Sequence, residues 1–231
     1  MNQALVLFSG GIDSTTALYW ARERFSPTSA VTFAYGQRHE VEIQLAAELA
    51  RRLGVQQKIL VVDLSQIGGS ALTDTDVSLP TFRRVEEIGG GSPPTYVPFR
   101  NGIFLSLAAA WAEVIEARNI VCGFNIVDSP HYPDTRSAFV RAMENAFNAG
   151  TEAAAQGKHF AIHVPFIQKK KSEIIRLGLD LGADFSYSIS CYAGAEIPCM
   201  KCSSCLLRQR AWQEAGTEDH LIVRLKKEGR L

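Results

Sequence analysis

Short runs of apolar residues alternate along the chain with longer stretches in which apolar residues recur every three or four positions. Such short runs are typical of buried strands, and the longer spacing is typical of helices packed on one side. The pattern predicts strands at 5–8, 30–35, 58–63, 119–124 and 163–167, and helices at 15–20, 40–53, 101–117, 136–149 and 171–181. This alternation predicts an α/β fold with a doubly wound, parallel, five-stranded sheet that binds ligands at the carboxyl ends of its strands.

The alternation stops between residues 65 and 100, a stretch rich in glycine and proline that includes Gly89-Gly90-Gly91 and Pro93-Pro94. A loop of this length in a compact domain is usually either a functional lid or a disordered segment. We predict that this stretch forms a lid that covers the active site, because it ends in the polar pair Arg100-Asn101.

The first strand runs into a glycine turn and then a helix, in the segment 8–15 that reads Phe-Ser-Gly-Gly-Ile-Asp-Ser-Thr. Backbone N–H groups and the positive end of the helix dipole meet at such a junction, which therefore binds phosphate. The lysine-bearing phosphate loop and the dinucleotide fingerprint are both absent. Asp13 and Ser14 are expected to cap a helix that continues from Thr15, and Asp13 also to help hold Mg²⁺. The predicted ATP-binding residues are Phe8, Ser9, Gly10, Gly11, Ile12, Asp13, Ser14 and Thr15, with Arg38 at the end of the second strand as either an ATP ligand or a surface arginine that caps a loop.

Four of the five cysteines follow residue 185, with the spacing C-x7-C-x2-C-x2-C. Thiolates at this spacing suit a closed, structural Zn²⁺ site, and an iron–sulfur cluster is the alternative. The predicted ligands are Cys191, Cys199, Cys202 and Cys205. We therefore divide the chain into a catalytic domain, residues 1–185, and a metal-binding helical segment, residues 186–231, whose folding depends on the metal. Cys122 is predicted to be a core residue.

Composition narrows the class of protein. The 231 residues are 46% apolar and 21% charged with zero formal net charge. A soluble globular protein is indicated, and a surface dedicated to nucleic acid is disfavoured. Neither a secretory leader nor an apolar run of about 18 residues is present, so we expect a cytoplasmic protein with no membrane partner.

The glycine turn, Ser9-Gly-Gly-Ile-Asp-Ser14, resembles the loop of the PP-loop ATP pyrophosphatases. With the cysteine cluster and several later segments it resembles one branch of that superfamily, the QueC family of 7-cyano-7-deazaguanine synthases. The segments that carry the resemblance are Phe8–Thr16, Tyr35–His39, Gly68–Asp74, Thr95–Pro98 with Arg100-Asn101, Tyr132–Asp134, and Lys171 with Glu173.

The resemblance implies a fold like that of the adenine nucleotide alpha hydrolases and a homodimer. It also implies that ATP adenylates 7-carboxy-7-deazaguanine, that ammonia converts the adenylate to an amide, and that a second activation gives the nitrile, with release of AMP and pyrophosphate. The implied catalytic residues are Asp13, Lys171 and Arg100, and the implied substrate-binding residues are Arg100, Asn101, Tyr132, Asp134 and Arg136.

The chain departs from the family pattern at three positions. Phe99 stands where the family has alanine or glycine, His131 where it has glycine, and Thr135 where it has cysteine. These departures keep open a paralogue that stops at the amide, or that joins the deazaguanine to another amine such as a protein in antiphage defence. A tRNA-thiolating PP-loop enzyme and a non-catalytic nucleotide-binding module are further alternatives.

Overall fold

A computed structural model describes residues 2–38, 40–127 and 132–231 of the chain. Its sheet has five strands in the order β3-β2-β1-β4-β5, and every neighbouring pair is parallel. The strands are β1 (Ala4–Leu7), β2 (Thr28–Ala34), β3 (Gln56–Val61), β4 (Asn119–Val121) and β5 (Ala161–His163). The predicted five-stranded parallel sheet is therefore confirmed.

Helices cover both faces of this sheet, as a doubly wound fold requires. They are α1 (Ile12–Arg24), α2 (Val41–Arg52), α3 (Arg100–Val114), α4 (Ser137–Gly150), α5 (Glu152–Ala155), α6 (Lys171–Asp180), α7 (Ser203–Ala215) and α8 (His220–Lys227). No described helix combines the length and the apolar character needed to cross a bilayer.

Strand β1 lies at the centre of the core, and its side chains alternate between the two faces. Leu5 belongs to the cluster that includes Phe104 and Leu105 of α3. Val6 belongs to the cluster on the other face, with Leu18 of α1 and Ile174 of α6. Burial on both faces explains why the sequence here is a continuous apolar run and not an alternating one.

The strand order reverses between β1 and β4, because the chain runs outward through β2 and β3 and then returns to the other side of β1. Ligands of open α/β sheets bind in the crevice at such a reversal. The loop after β1 and the residue Gly123 after β4 meet there. A Cβ atom at Gly123 would lie 2.7 Å from the carbonyl carbon and oxygen of Asp13, so the two segments are in close backbone contact.

Two predicted elements were misplaced. The last strand was predicted at 163–167, but β5 covers Ala161–His163, because Ile120 of β4 pairs with Ile162. The apolar residue Phe166 is fully buried in the turn that follows β5 and not in the sheet. Helix α1 begins at Ile12 with Gly11 as its N-cap and no side-chain cap, so the capping role predicted for Asp13 and Ser14 is wrong.

The long irregular segment before α3 is present, with one 3₁₀ turn at Val85–Glu87. The C-terminal residues 186–231 contain α7 and α8 and pack on the sheet domain, where Trp212 meets Phe185 edge-on at 5.5 Å between ring centroids. The division of the chain at residue 185 stays a prediction.

Candidate active site

A cavity of about 370 Å³ opens at the carboxyl edge of the sheet, over the reversal point. The first residues of four helices line it: Ile12 of α1, Arg100 of α3, Lys171 of α6 and Ser203 of α7. The N-terminus of a helix carries a partial positive charge and unpaired N–H groups. Four such ends around one cavity make it a site for anionic groups.

The glycine turn Ser9–Ser14 is held in shape by its own hydroxyl groups. The Ser14 hydroxyl donates to the carbonyl of Gly11 at 3.1 Å and lies 3.1 Å from the Ser9 hydroxyl. Gly10 has φ +80, and a Cβ atom there would lie 3.2 Å from the Glu42 carbonyl oxygen. The glycine is thus required both by the left-handed backbone and by the close approach of α2.

Asp13 and Lys171, which lie 158 positions apart in the sequence, form an ion pair in the cavity, with Nζ donating to Oδ2 at 2.5 Å. The other carboxylate oxygen, Asp13 Oδ1, is buried and has no hydrogen-bond partner within the part of the chain that the structure describes. Buried carboxylate oxygens are rarely left unpaired. This oxygen is therefore free to bind a donor or a cation that enters with a ligand.

Arg100 is a second cationic residue in the lining of the cavity. Its Nη1 donates to the hydroxyl of Tyr35 at 3.1 Å, and among the described residues no carboxylate lies within ion-pairing distance of it. Burial raises the pKa of Tyr35 to about 12, although the nearby Arg100 opposes the shift. Tyr35 is therefore a neutral phenol, and the charge of Arg100 remains available to an anionic ligand.

The residues predicted to bind substrate separate into two groups. Asn101 and Tyr132 line the cavity, and the Tyr132 hydroxyl lies 3.2 Å from that of Thr95. Asp134 and Arg136 do not line it. Asp134 is 3% exposed and accepts the backbone N–H of Asn101 at 2.9 Å, which fixes the start of α3.

Arg38 also lies outside the lining of the cavity. Its Nη2 donates to the carbonyl oxygen of Val77 at 2.8 Å and to that of Asp74, so it holds the segment before α3. Its role as an ATP ligand stays a prediction, as do the roles of Asp134 and Arg136.

The structure describes two of the three departures from the family pattern, Phe99 and Thr135. Thr135 lines the cavity and donates its hydroxyl to the carbonyl of Tyr132 at 2.9 Å. Phe99 is 53% exposed, has φ +53 and covers Gly102, where a Cβ atom would come within 2.4 Å of the ring. His131 lies outside the described residues.

Several lining residues were missed because no local pattern marks them. Tyr192, Ser190, Ser203, Ser204 and Arg208 reach the cavity from the C-terminal segment. Four of them lie one or two positions from the clustered cysteines Cys191 and Cys202, and this proximity was the only available signal.

Arg208 had no such signal, because it follows the last cysteine, Cys205, by about one turn of α7. It is 4% exposed and binds both carboxylate oxygens of Asp219, at 2.5 and 2.7 Å.

The sulfur atoms of Cys191, Cys199, Cys202 and Cys205 all lie within 4.8 Å of one another and can hold a metal ion. Backbone N–H groups of Ala193 and Cys199 donate to the Cys191 sulfur at 3.4 and 3.3 Å. Hydrogen bonds from Cys202 and Cys205 hold the pKa of Cys191 far below its usual range, and the same bond raises the pKa of Cys202 to about 11. These hydrogen bonds favour the thiolate form of Cys191, which is the form that binds a metal.

Fold and cavity together define a parallel α/β protein with an anion-binding loop after its first strand. The solved structure of a predicted subunit of tRNA methyltransferase from Methanocaldococcus jannaschii has the same type of fold, with a TM-score of 0.50 and 17% identity over 78% of this chain and 76% of that one.

Residues 3–216 match the model of the family of queuosine biosynthesis protein QueC. A 7-cyano-7-deazaguanine synthase of Trichodesmium erythraeum is 45% identical over 221 residues, which cover 95% of this chain and 100% of that protein. Another, from Nitrosococcus oceani, is 46% identical over 220 residues, with 94% and 96% covered. The chain therefore belongs to the QueC family, as the sequence motifs indicated.

Proposed function

We propose that the protein is an ATP-dependent carbon–nitrogen ligase that converts 7-carboxy-7-deazaguanine to 7-cyano-7-deazaguanine by way of the amide. The observation that carries the proposal is the Asp13–Lys171 ion pair at 2.5 Å beside the glycine turn, in a chain of the QueC family. The relatives named above are called 7-cyano-7-deazaguanine synthases, and they match nearly the whole length of this chain.

ATP is expected to bind with its phosphates against the glycine turn. The N-terminus of α1 and Lys171 line the cavity there, and the N–H groups of Ser9 and Gly11 donate to the hydroxyl groups of the turn. When the substrate carboxylate oxygen attacks the α-phosphorus, the bond to the β-phosphate oxygen breaks and pyrophosphate leaves with the negative charge. Fixed donors and cations around that charge lower the barrier without reorganisation.

Arg100 is the group that we assign to the carboxylate of the deazaguanine. Its guanidinium is oriented by the neutral Tyr35 and has no carboxylate partner among the described residues. Arginine can bind a carboxylate with two parallel hydrogen bonds, which holds the attacking oxygen in place. Asn101 and Tyr132, beside it in the lining, are then positioned to contact the planar base.

The amination steps follow from the adenylate. Ammonia attacks the carboxyl carbon and AMP leaves, which gives the amide and a proton. In the second round the amide oxygen attacks another ATP, pyrophosphate leaves, and loss of AMP with the nitrogen-bound protons gives the nitrile. Thr135 lines the cavity at the position where the family has cysteine. An altered side chain there is the structural reason to test whether the reaction stops at the amide or uses another amine.

The residues present fit the two metals that the family implies. Mg²⁺ would be held by Asp13, whose Oδ1 is a buried oxygen without a partner in the described chain, and it neutralises phosphate charge when bound. Zn²⁺ would be held by the four clustered cysteines, which leave no open coordination position, so its contribution is structural.

A thiolating enzyme is disfavoured by the one cysteine outside the cluster. Cys122 is fully buried in the core, and burial raises the pKa of its thiol. It does not line the cavity. A redox-active or sulfur-transferring cysteine has to be accessible and readily ionised.

The test is mass spectrometry of the products formed from ATP, Mg²⁺ and 7-carboxy-7-deazaguanine, with and without ammonium. Nitrile together with AMP and pyrophosphate is the expected result. Amide alone would favour the arrested paralogue, and an adenylate that waits for a different amine would favour a protein acceptor. The absence of AMP would overturn the proposal.

A homodimer and a cytoplasmic location belong to the same proposal. Sedimentation velocity of the purified protein decides the first, and fractionation of the source cells decides the second.

A further inference from the structure

Several of the clustered cysteines are next to residues of the cavity wall in the chain. Cys191 lies between Ser190 and Tyr192, and both neighbours line the cavity. Cys202 is the N-cap of α7 and is followed by Ser203 and Ser204, which also line it. The backbone positions of these two cysteines are therefore coupled to the wall through adjacent residues of the chain.

The same cluster also holds the segment that crosses the cavity. We call residues 79–95 the strap; Ile88, Gly89, Gly91, Pro93 and Thr95 of this segment line the cavity. The backbone N–H of Phe82 donates to the carbonyl oxygen of Lys201 at 2.8 Å. Lys201 lies between the ligands Cys199 and Cys202, so the strap is anchored to the metal loop itself.

Packing supports this anchor from both sides. Leu79, at the start of the strap, contacts both the apolar cluster under α3 and the cluster formed by the cysteines with Leu221 and Leu225. The 3₁₀ turn Val85–Glu87 of the strap packs against α7. At its other end the strap is joined to the earlier part of the same irregular segment, because the N–H of Ala71 donates to the carbonyl of Pro94 at 2.8 Å.

We propose that the metal held by the four cysteines is a positioning centre for the nucleotide cavity. It fixes Tyr192 and Ser203 in the wall and, through the hydrogen bond from Phe82 to Lys201, holds the strap closed. This inference depends on the proposed function in one respect, namely that the ligand of the cavity is ATP. A metal that merely stabilised the fold would act equally on every part of the chain, whereas this one acts on the cavity before it acts on the sheet.

The first experiment removes the metal from the full-length protein with a chelator and follows amide hydrogen exchange together with binding of α,β-methylene-ATP, which cannot be cleaved at the relevant bond. Local opening is expected to lower the protection of the Phe82 amide by about tenfold or more, while the amides of β2 change by less than about twofold. The dissociation constant of the nucleotide is expected to rise by about tenfold or more. Added Zn²⁺ should restore both quantities.

Unchanged protection of Phe82, or unchanged nucleotide affinity, would overturn the inference. An equal loss of protection in β2 would overturn it as well, because the metal would then stabilise the whole fold. If the metal-loaded protein does not bind the nucleotide at all, the proposed function fails, and the exchange of Phe82 still decides the coupling.

A pair of variants tests the anchor without touching a cysteine. Phe82→Pro removes the donating N–H group, whereas Phe82→Leu keeps it and serves as the control. Phe82→Pro is expected to retain its full metal content and to bind the nucleotide roughly fivefold more weakly, the factor that one net hydrogen bond contributes to an equilibrium. Equal affinities for the two variants would count against the anchor.

Discussion

Gly123 provides a direct test of how the cavity is built, because a single methyl group is expected to displace the glycine turn. A Cβ atom at this position would lie 2.7 Å from the carbonyl carbon and oxygen of Asp13 and 2.9 Å from the Ser14 nitrogen. All three are backbone atoms at the start of α1, so no flexible side chain can give way. Gly123 has no left-handed backbone, so in Gly123→Ala the steric effect acts alone.

The size of the effect follows from these distances. Ordinary van der Waals contacts begin at 3.4 Å, so the new methyl group is about 0.7 Å too close to Asp13. A misplacement of about 1 Å in an active site costs roughly a hundredfold in rate, so a shift of this size predicts a loss of about 25-fold in kcat/KM. Overpacking should also cost about 2 kcal/mol of folding free energy, which for a chain of this length lowers Tm by roughly 4–8 °C.

The assay is the release of AMP and pyrophosphate at a temperature at least about 15 °C below Tm, so that partial unfolding cannot explain a loss of rate. Gly150→Ala is the matched control, because nothing lies within 4 Å of the added methyl group and no left-handed backbone is involved. If Gly123→Ala retained both the wild-type kcat/KM and the wild-type Tm, the close contact between β4 and the glycine turn would be refuted.

Three further variants test other parts of the structure. Asp13→Asn breaks the ion pair with Lys171 and should lower AMP release by roughly a hundredfold or more, whereas Asp180→Asn, at the exposed end of α6, should leave it unchanged. Gly178→Ala would bring a methyl group within 2.4 Å of the Phe185 ring and 2.7 Å of the Thr16 hydroxyl. It should therefore lower Tm with a loss of about 1–3 kcal/mol; an unchanged Tm would contradict that packing. Because the pKa of Tyr35 is raised from 10.0 to about 12, its neutral form stabilises the fold fully below pH 10, and this stability is lost as the pH rises from 10 to 12. Tyr35→Phe cannot ionise, so a denaturant titration over this range should show a smaller fall in unfolding free energy than in the wild type.

The sequence predicted those parts of the site that depend on local pattern. The glycine turn after β1 and the cysteine cluster lie where the pattern indicated, and the five parallel strands are present, although β5 lies earlier in the chain than predicted. Each is a short segment whose geometry follows from its own residues: buried strands from apolar runs, the turn from Gly10 with φ +80, and the metal site from cysteine spacing.

The position of a residue at the end of a strand did not predict the direction of its side chain. Arg38 follows β2 at the correct edge of the sheet, but its guanidinium turns to the carbonyl oxygens of Asp74 and Val77. Asp134 follows the cavity-lining Tyr132 by two residues, yet it points to the N–H of Asn101. The position of a residue along a strand edge sets where its backbone lies, and competing backbone acceptors and donors then decide where the side chain points.

The only sequence signal for the wall contributed by residues 190–208 was its proximity to the cysteines, because this wall depends on how the C-terminal segment packs on the sheet domain. The sequence suggested a separate metal-binding segment, whereas Arg208 of that segment lines the same cavity as Asp13. Contacts between distant parts of a chain leave no periodic trace in either part.

The electrostatics of the cavity explain why composition gave no hint of an anionic ligand. Three cationic side chains line it, but Lys171 is paired with Asp13 and Arg208 with Asp219, which leaves Arg100 without an ion-pair partner in the described chain. The N-termini of α1, α3, α6 and α7 add positive potential to that of Arg100, and because they are backbone groups they add nothing to the formal charge. A chain with zero net charge can attract an anion in this way, because positive potential is concentrated where four helices begin.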